Sequence, residues 1–166
     1  MTADALRRRK EAQAAMGIAY YCDKDKGVSY EVWEGVVTGS DWVEHVRRQV
    51  DDPGWPAGDR SLTDLQLVSR NSSIGKAEME QVVDIYRAQP KKLAEGRAAV
   101  VAGKEFRLSP LFKIFTSRHG FRLIVFSDLT LACKWLGLDT KDAQRYIGRL
   151  RAKLVGETSQ RPPTSP

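Results

Sequence analysis

Two adjacent serine hydroxyls are the groups of this sequence best placed to do chemistry. Ser72 and Ser73 stand in the stretch SRNSSIGK, between a strand-like run, SLTDLQLV, and a helix-like run, AEMEQVVDIYRA. A serine at a helix start can accept a hydrogen bond from one of the unpaired backbone N–H groups there. The same N–H groups also favour a phosphate, which would add about −1.5 to −2 charges to the surface. The pair is therefore predicted either to cap the helix or to accept a phosphate.

Three neighbours complete this candidate phosphoacceptor and anion-binding site. Asn71 precedes the serine pair, and Gly75 follows it near the predicted start of the helix. Lys76 could pair with a phosphate on a serine, and Arg70 could do so from the preceding loop. A protein partner packed on this surface would be expelled or recruited when its charge changes, so the pattern predicts regulation rather than catalysis.

Elsewhere the sequence shows no pattern typical of an enzyme or a metal site. The only two histidines are His45, predicted on or near the polar face of a helix, and His119, in the turn SRHG. The G-x-S-x-G, P-loop and G-x-G-x-x-G motifs are absent, and the aspartates form no paired or metal-ligand pattern. Cys22 and Cys133 have no metal-like spacing and are expected to be reduced thiols in the core. We therefore expect a non-enzymatic protein with no catalytic residue, metal or cofactor.

The charge distribution indicates which partners the chain excludes. The 166 residues carry a net charge of +6. Four cations and two anions lie in residues 1–11, and six cations and three anions lie in residues 138–166, so the body between them is nearly neutral. We expect no nucleic acid to bind through the core domain. No apolar run approaches the roughly 18–20 residues of a membrane span, and the start lacks a signal-like apolar segment, so a cytoplasmic protein without membrane insertion is expected.

Alternating patterns predict an α/β fold. The runs GIAYYCD and GVSYEVWEGVVT, joined by a turn ending at Gly27, indicate a hairpin whose second strand places Val28, Tyr30, Val32 and Val36 on one face. Strands and helices then alternate, which predicts a mixed sheet of about five strands with its first pair antiparallel and the rest mainly parallel. About four helices and an additional C-terminal helix would cover it.

The chain divides into four predicted parts. Residues 1–15 form a basic arm containing RRRK, which could attract an anionic lipid or nucleic acid or be simply solvated. Residues 16–137 form the main domain, and 156–166 form a tail that is disordered by composition. Residues 138–155 form an amphipathic helix whose apolar stripe, Ala143, Ile147, Leu150 and Leu154, must pack either on its own sheet or on a second subunit as a homodimer.

The main domain resembles the STAS family, the small α/β domains typified by bacterial anti-sigma-factor antagonists, and is most similar to the SpoIIAA-like branch. This resemblance is carried by WEGVVTGSDW, SLTDLQLV, NSSIG and FRLIVFSDLTLACKWL. Members carry an Asp-Ser-Ser-Gly motif whose serine is phosphorylated by an anti-sigma kinase. Here Asn71 replaces the aspartate, and Ile74 stands before Gly75. The resemblance implies a phosphorylation-responsive signalling adaptor with a protein partner of the anti-sigma-factor or kinase type.

The same fold is shared with lipid-binding Sec14-type (CRAL-TRIO) domains, which leaves a second function open. The run LSPLFKIF is rich in bulky apolar side chains for a short helix, and Trp33, Trp42, Trp55 and Trp135 add aromatic surface. These groups would line a cavity for a small apolar ligand or form an ordinary core. A third possibility is a domain with neither of these two functions.

Overall fold

The computed structural model describes residues 17–55, 60–69, 72–89, 96–103 and 122–159. Several predicted features lie outside these ranges. They are the basic arm of residues 1–15, Arg70 and Asn71 of the candidate site, the apolar helix predicted after Ser109, His119 in the turn that follows, and residues 160–166 of the predicted tail.

A single sheet organises the described residues. Its five strands are β1 (Ile18–Asp23), β2 (Val28–Gly35), β3 (Arg60–Val68), β4 (Arg97–Val101) and β5 (Arg122–Phe126). They lie in the order β1-β2-β3-β4-β5, with β1 antiparallel to β2 and every later neighbour parallel. The predicted mixed sheet with an antiparallel first pair is therefore confirmed.

Four helices are present in the described part of the chain. They are α1 (Gly39–Asp51), α2 (Lys76–Arg87), α3 (Leu129–Leu136) and α4 (Thr140–Ser159). The last helix runs four residues into the stretch predicted as tail, because a single glycine at position 156 costs only about 1 kcal/mol and the helix-breaking prolines come later. None of the helices in these ranges is long and apolar enough to cross a bilayer.

Local signals set several helix ends. Thr38 caps α1 with a capping box, since its hydroxyl accepts from Asp41 N and its backbone N–H donates to the Asp41 carboxylate. Gly137 ends α3 in the left-handed conformation, at φ 69°, as expected for that residue. Asp128 caps α3, which begins at Leu129, because the Asp128 side chain accepts from Leu131 N.

Helices α3 and α4 cover one face of the sheet. The apolar stripe of α4 is buried there, together with Val28, Tyr30 and Val32 of β2; the stripe residues are Ala143, Ile147, Leu150 and Leu154. The stripe thus packs on its own sheet, which leaves it no free surface for the predicted homodimer. Val36 is not part of this face, because β2 ends at Gly35, with φ 72°, and Val36 is exposed.

Helices α1 and α2 pack against each other and cover the opposite face. Trp33 of β2 meets Trp42 of α1 with ring centroids 5.7 Å apart, and Trp55 stacks on Tyr86 of α2. On the other side of the sheet, Trp135 packs beside Phe126. The four tryptophans therefore serve as core packing within the described residues, rather than lining an open cavity.

Candidate functional site

The turn before α2 is tied to the connection between β2 and α1. The backbone N–H of Ser73 donates to Val37 O over 3.2 Å, and its carbonyl accepts from Gly39 N over 2.7 Å. Ser69 N donates to Gly35 O over 2.7 Å, just before the turn. Asn71 and Arg70, both predicted for this site, lie outside the described residues. The described part of the turn is therefore held in place by hydrogen bonds to the connection between β2 and α1, which lies more than thirty residues earlier in the sequence.

The two serines have different surroundings. The half-buried Ser72 hydroxyl accepts from Val37 N over 3.0 Å and donates to Gly35 O over 3.4 Å, so it fixes the backbone of the neighbouring connection. Ser73 is exposed, and its hydroxyl has no hydrogen-bond partner in the described part of the chain. Ser73 is therefore the serine whose hydroxyl is open to modification.

Neither serine caps α2, which corrects the simpler prediction. The N-cap is Gly75, with no side-chain cap bond, and the helix begins at Lys76. The cap prediction was wrong because the turn continues beyond the serine pair, so that Ser73 lies two residues before the cap. Lys76 is exposed, and its Nζ lies 3.8 Å from Glu80 Oε1. This contact is long for an ion pair, so the Lys76 ammonium is accessible to an anion on Ser73.

A residue that the sequence analysis missed occupies the start of α2. An ideal Cβ on Gly75 would lie 2.7 Å from Glu78 Oε2, and one on Gly39 would lie 2.8 Å from both Cβ and Cδ of Glu78. Gly39 is the first residue of α1, so the Glu78 carboxylate lies where the N-terminal ends of α1 and α2 meet. A carboxylate is stabilised by the positive helix end. The chain thus supplies its own anion there, and the signal was a glutamate three residues after the cap.

Exposed apolar side chains accompany the turn at this edge of the sheet. Val36 follows the end of β2, Leu67 lies near the end of β3, and both are about half exposed, at 53% and 51%. We call the group formed by Val36, Leu67, Ser73, Gly75 and Lys76 the carboxyl-end surface. It combines apolar contact area with a modifiable hydroxyl and a cation, which suits the docking of a protein more than the turnover of a substrate.

A buried polar cluster lies between β2 and α1. Glu31 accepts from Trp33 Nε1 over 2.6 Å and from Gln49 Nε2 over 3.0 Å, and its carboxylate lies 2.9 Å from His45 Nε2. Tyr86 of α2 donates to the Gln49 amide oxygen over 3.2 Å. His45 was predicted on or near the polar face of its helix, and this is wrong: its side chain is only 4% exposed, because Glu31 provides a buried acceptor.

The electrostatics of this cluster indicate a structural role. Burial alone would raise the pKa of Glu31, but the charge of His45 and the hydrogen bonds from His45, Trp33 and Gln49 hold that pKa below its ordinary value. Burial also raises the pKa of Tyr20, whose ring edge meets His45 and whose hydroxyl donates to Asp52. Because both oxygens of the Glu31 carboxylate are paired beneath α1, one of them with His45 Nε2, the arrangement braces the helix on the sheet.

An ion pair with a buried carboxylate joins the sheet to α4. Asp64, 1% exposed in its side chain, accepts from Arg151 Nη2 over 2.8 Å and from Gln66 N over 2.8 Å. Cys133 is buried in the core of α3, and burial raises the pKa of its thiol, as expected for a packing residue. Within the described ranges no three His, Cys, Asp or Glu side chains are grouped so that they could hold a metal ion.

A cleft of about 270 Å³ opens beside the β1–β2 turn. Four of its seven lining residues are charged: Lys26, Arg60, Asp139 and Asp142. The Lys26 ammonium lies 2.8 Å from the Asp142 carboxylate, and Arg60 donates to the carbonyls of Lys26 and Leu136. An acyl chain in this cleft would have to bury these charges, which is unfavourable.

Comparison with known proteins bears on the fold. No family model and no curated protein matches the sequence. An uncharacterized protein of the DUF3478 family from Shewanella loihica PV-4, whose crystal structure has a SpoIIAA-like fold, is similar in structure, with a TM-score of 0.51 and 13% identity. The match covers 73% of this chain and 94% of that one. Similarity at this level of identity concerns architecture and not activity. The chain has a SpoIIAA-like fold, as the resemblance of its sequence implied.

Proposed function

We propose that this chain is a non-enzymatic protein-interaction module that docks a protein partner on the carboxyl-end surface, and that phosphorylation of Ser73 regulates the docking. The observation that carries the proposal is the exposed Ser73 hydroxyl on a turn whose backbone is hydrogen-bonded to the start of α1. Because these hydrogen bonds hold the turn in place, a charge added to Ser73 has a fixed position on the surface that a partner would contact.

The surroundings of Ser73 define what a phosphate would do. The Glu78 carboxylate already lies at the joined helix starts, so a phosphate on Ser73 would add about −1.5 to −2 charges near an existing anion. Lys76 is the cation available to offset part of that charge. A partner with an acidic surface would then be repelled, and one with a basic surface would be attracted.

The fold and the sequence resemblance together support a signalling role of this kind. The chain has a SpoIIAA-like fold, and its sequence resembles the STAS family, whose members accept phosphate on a serine of an Asp-Ser-Ser-Gly motif. A bacterial cytoplasmic kinase or an anti-sigma-type regulator is therefore the partner class that we propose. Asn71 replaces the aspartate of that motif, so the kinase would have to recognise a less acidic turn.

The test is a comparison of partners captured from the native cell by the wild-type chain and by Ser73→Asp, with Ser73→Ala as the uncharged variant. Ser127→Asp is the matched control, because Ser127 is also an exposed serine that follows a strand end. We expect Ser73→Asp to lose or gain a specific protein that Ser73→Ala and Ser127→Asp leave unchanged. Identical capture by all variants, with no phosphate on Ser73 in the native protein by peptide mass spectrometry, would contradict the proposal.

A lipid carrier of the Sec14 type is the competing function. It receives less support, because the cleft beside the β1–β2 turn carries four charged residues and the tryptophans pack in the core. Native mass spectrometry of the purified protein separates the two. A lipid that co-purifies at one molecule per chain supports the lipid carrier. No bound lipid, together with capture of a protein partner, supports the interaction module.

A further inference from the structure

Positive charge is concentrated on the exposed side of α4. Lys141, Arg145, Arg149 and Lys153 are all exposed and recur every four residues, which places successive members about 6 Å apart along the helix. We call these four residues the α4 cationic row. The whole helix has five cations and two anions, whereas α1 and α2, on the opposite face of the sheet, each have two cations and three anions. The surface of α4 is therefore distinct in charge from the rest of the described molecule.

Little of this charge is neutralised by the chain itself. Asp142 is shared by Lys26 and Arg145, each with a closest N–O distance of 2.8 Å. In the part of the chain that the structure describes, no carboxylate pairs with the other three members of the row. Two copies of α4 facing each other would bring like charges together, which opposes a dimer through this surface. The row instead suits a polyanion.

An exposed aromatic ring lies beside the row. Tyr21 of β1 is 44% exposed and stacks on Tyr146 of α4, with centroids 5.1 Å apart and planes 15° apart. Tyr146 also stacks on Tyr30, and its hydroxyl donates to Asp23. The exposed ring of Tyr21 therefore packs on a Tyr146 ring whose position is fixed. The guanidinium of Arg145 lies 5.5 Å from the Tyr146 centroid. Arg149 lies 6.0 Å from the same ring.

These observations favour one class of polyanion. Single-stranded nucleic acids are bound by cations that follow the backbone, together with aromatic side chains on which bases stack. An anionic membrane would instead favour bulky apolar residues next to the cations. Among the described side chains of α4, Val155 is the one large apolar group that is more than half exposed, and the neighbouring row Gln144, Gly148, Ala152 and Gly156 adds none, so the helix lacks the broad apolar face of a membrane-surface helix.

We propose that the α4 cationic row and Tyr21 form a binding surface for single-stranded nucleic acid. The row contacts successive phosphates, and the exposed ring of Tyr21 stacks with a base, without reading a sequence. This surface is separate from the carboxyl-end surface, so the inference does not depend on the proposed regulation of Ser73. The cationic row lies beyond residue 137, but Tyr21 belongs to β1, so the proposal revises the expectation that the domain of residues 16–137 takes no part in binding nucleic acid.

The test is fluorescence anisotropy of a labelled oligothymidylate titrated with the full chain at several salt concentrations. With up to four phosphate contacts, the slope of log K against log salt is expected to approach about −3. Arg149→Ala should weaken binding several-fold and reduce the slope by about 0.7. Tyr21→Ala should weaken binding about tenfold while Tyr21→Phe retains it, because phenylalanine keeps the stacking face.

A charge reversal with a matched control completes the design. Arg145→Glu with Arg149→Glu should abolish binding, whereas Arg47→Glu with Arg48→Glu makes the same change of charge on α1 and should leave affinity within about twofold. Circular dichroism checks that each variant is folded. The proposal is overturned by any of three results: no binding at low salt, equal loss in both double variants, or binding of anionic vesicles that oligothymidylate does not compete. Equal affinity for duplex DNA would overturn the stacking role of Tyr21.

Discussion

The side chain of Glu78 occupies the space that a side chain on Gly39 would fill, at the point where the first turns of α1 and α2 meet. This relationship joins the two helices that cover one face of the sheet. It also places a carboxylate at the N-terminal ends of two helices, where negative charge is favourable. Gly39 is therefore required for packing, although its φ is not in the left-handed region.

Gly39→Ala should lower the free energy of unfolding by about 1–3 kcal/mol, because the added Cβ would meet the Cβ and Cδ of Glu78 at 2.8 Å. Gly148→Ala is the matched control: a Cβ there meets nothing within 4 Å, so the same substitution in α4 should stabilise the protein by about 0.5–1 kcal/mol. Urea denaturation measures both. A neutral or stabilising Gly39→Ala would show that the helix starts separate easily.

The buried pair of Glu31 and His45 should be costly to break from one side. His45→Ala leaves Glu31 buried beside Trp33 and Gln49 without the imidazole 2.9 Å from its carboxylate, and the expected loss is about 3–5 kcal/mol of unfolding free energy. The exposed residue Glu44, on the same helix, provides the control, since Glu44→Ala removes only a surface pair with Arg48 and should cost less than about 1 kcal/mol. Similar losses for the two variants would contradict the bracing role of the cluster.

Acid should weaken the fold through the same carboxylate. The pKa of Glu31 is held below its ordinary value of 4.5, so the unfolded chain binds this proton at a higher pH than the folded chain does. Its contribution to stability is therefore complete above about pH 4.5 and is lost as the pH falls through the lower folded pKa. Glu31→Gln removes this group, so its unfolding free energy should fall less steeply with acid below pH 4.5 than that of the wild type. Parallel curves from urea titrations would refute this assignment.

Features set by neighbouring residues could be predicted from the sequence, and features set by distant contacts could not. The hairpin and the apolar stripe of α4 follow from local spacing, and the structure confirms them. His45 was misplaced because its partner Glu31 comes from a strand that only the folded chain brings beneath α1. A periodicity argument assigns a polar residue to the polar side of a helix unless a buried partner is known.

The same limit applies to the candidate site. Sequence spacing placed Ser72 and Ser73 together between a strand and a helix, but it could not assign different roles to the two serines. Their difference comes from Val37, more than thirty residues away, whose N–H donates to one hydroxyl and not to the other. The position of the Glu78 side chain likewise depends on how closely α1 approaches α2, which no local pattern encodes.

Replacement of the two serines by alanine should have different effects on the free energy of unfolding. Ser72→Ala removes hydrogen bonds to Val37 N and Gly35 O, so we expect a loss of about 1 kcal/mol in unfolding free energy. Ser73→Ala removes an exposed hydroxyl and should change stability by less than about 0.5 kcal/mol. Thermal or urea unfolding of the two variants gives the comparison. If Ser73→Ala proves the more destabilising, Ser73 is the structural serine, and the proposed modification site has to be reconsidered.

Removal of α4 should prevent folding rather than change the oligomeric state. The apolar stripe covers Val28, Tyr30 and Val32, and fully burying each of its three large side chains, those of Ile147, Leu150 and Leu154, contributes about 1.5–3 kcal/mol. A chain ending at Gly137 would expose that core and leave Asp64 without Arg151, its partner at 2.8 Å. We therefore expect the shortened chain to lose its cooperative thermal transition and to aggregate in light scattering. A folded, monomeric shortened chain would instead mean that α4 contributes little to the core and is free to pack elsewhere.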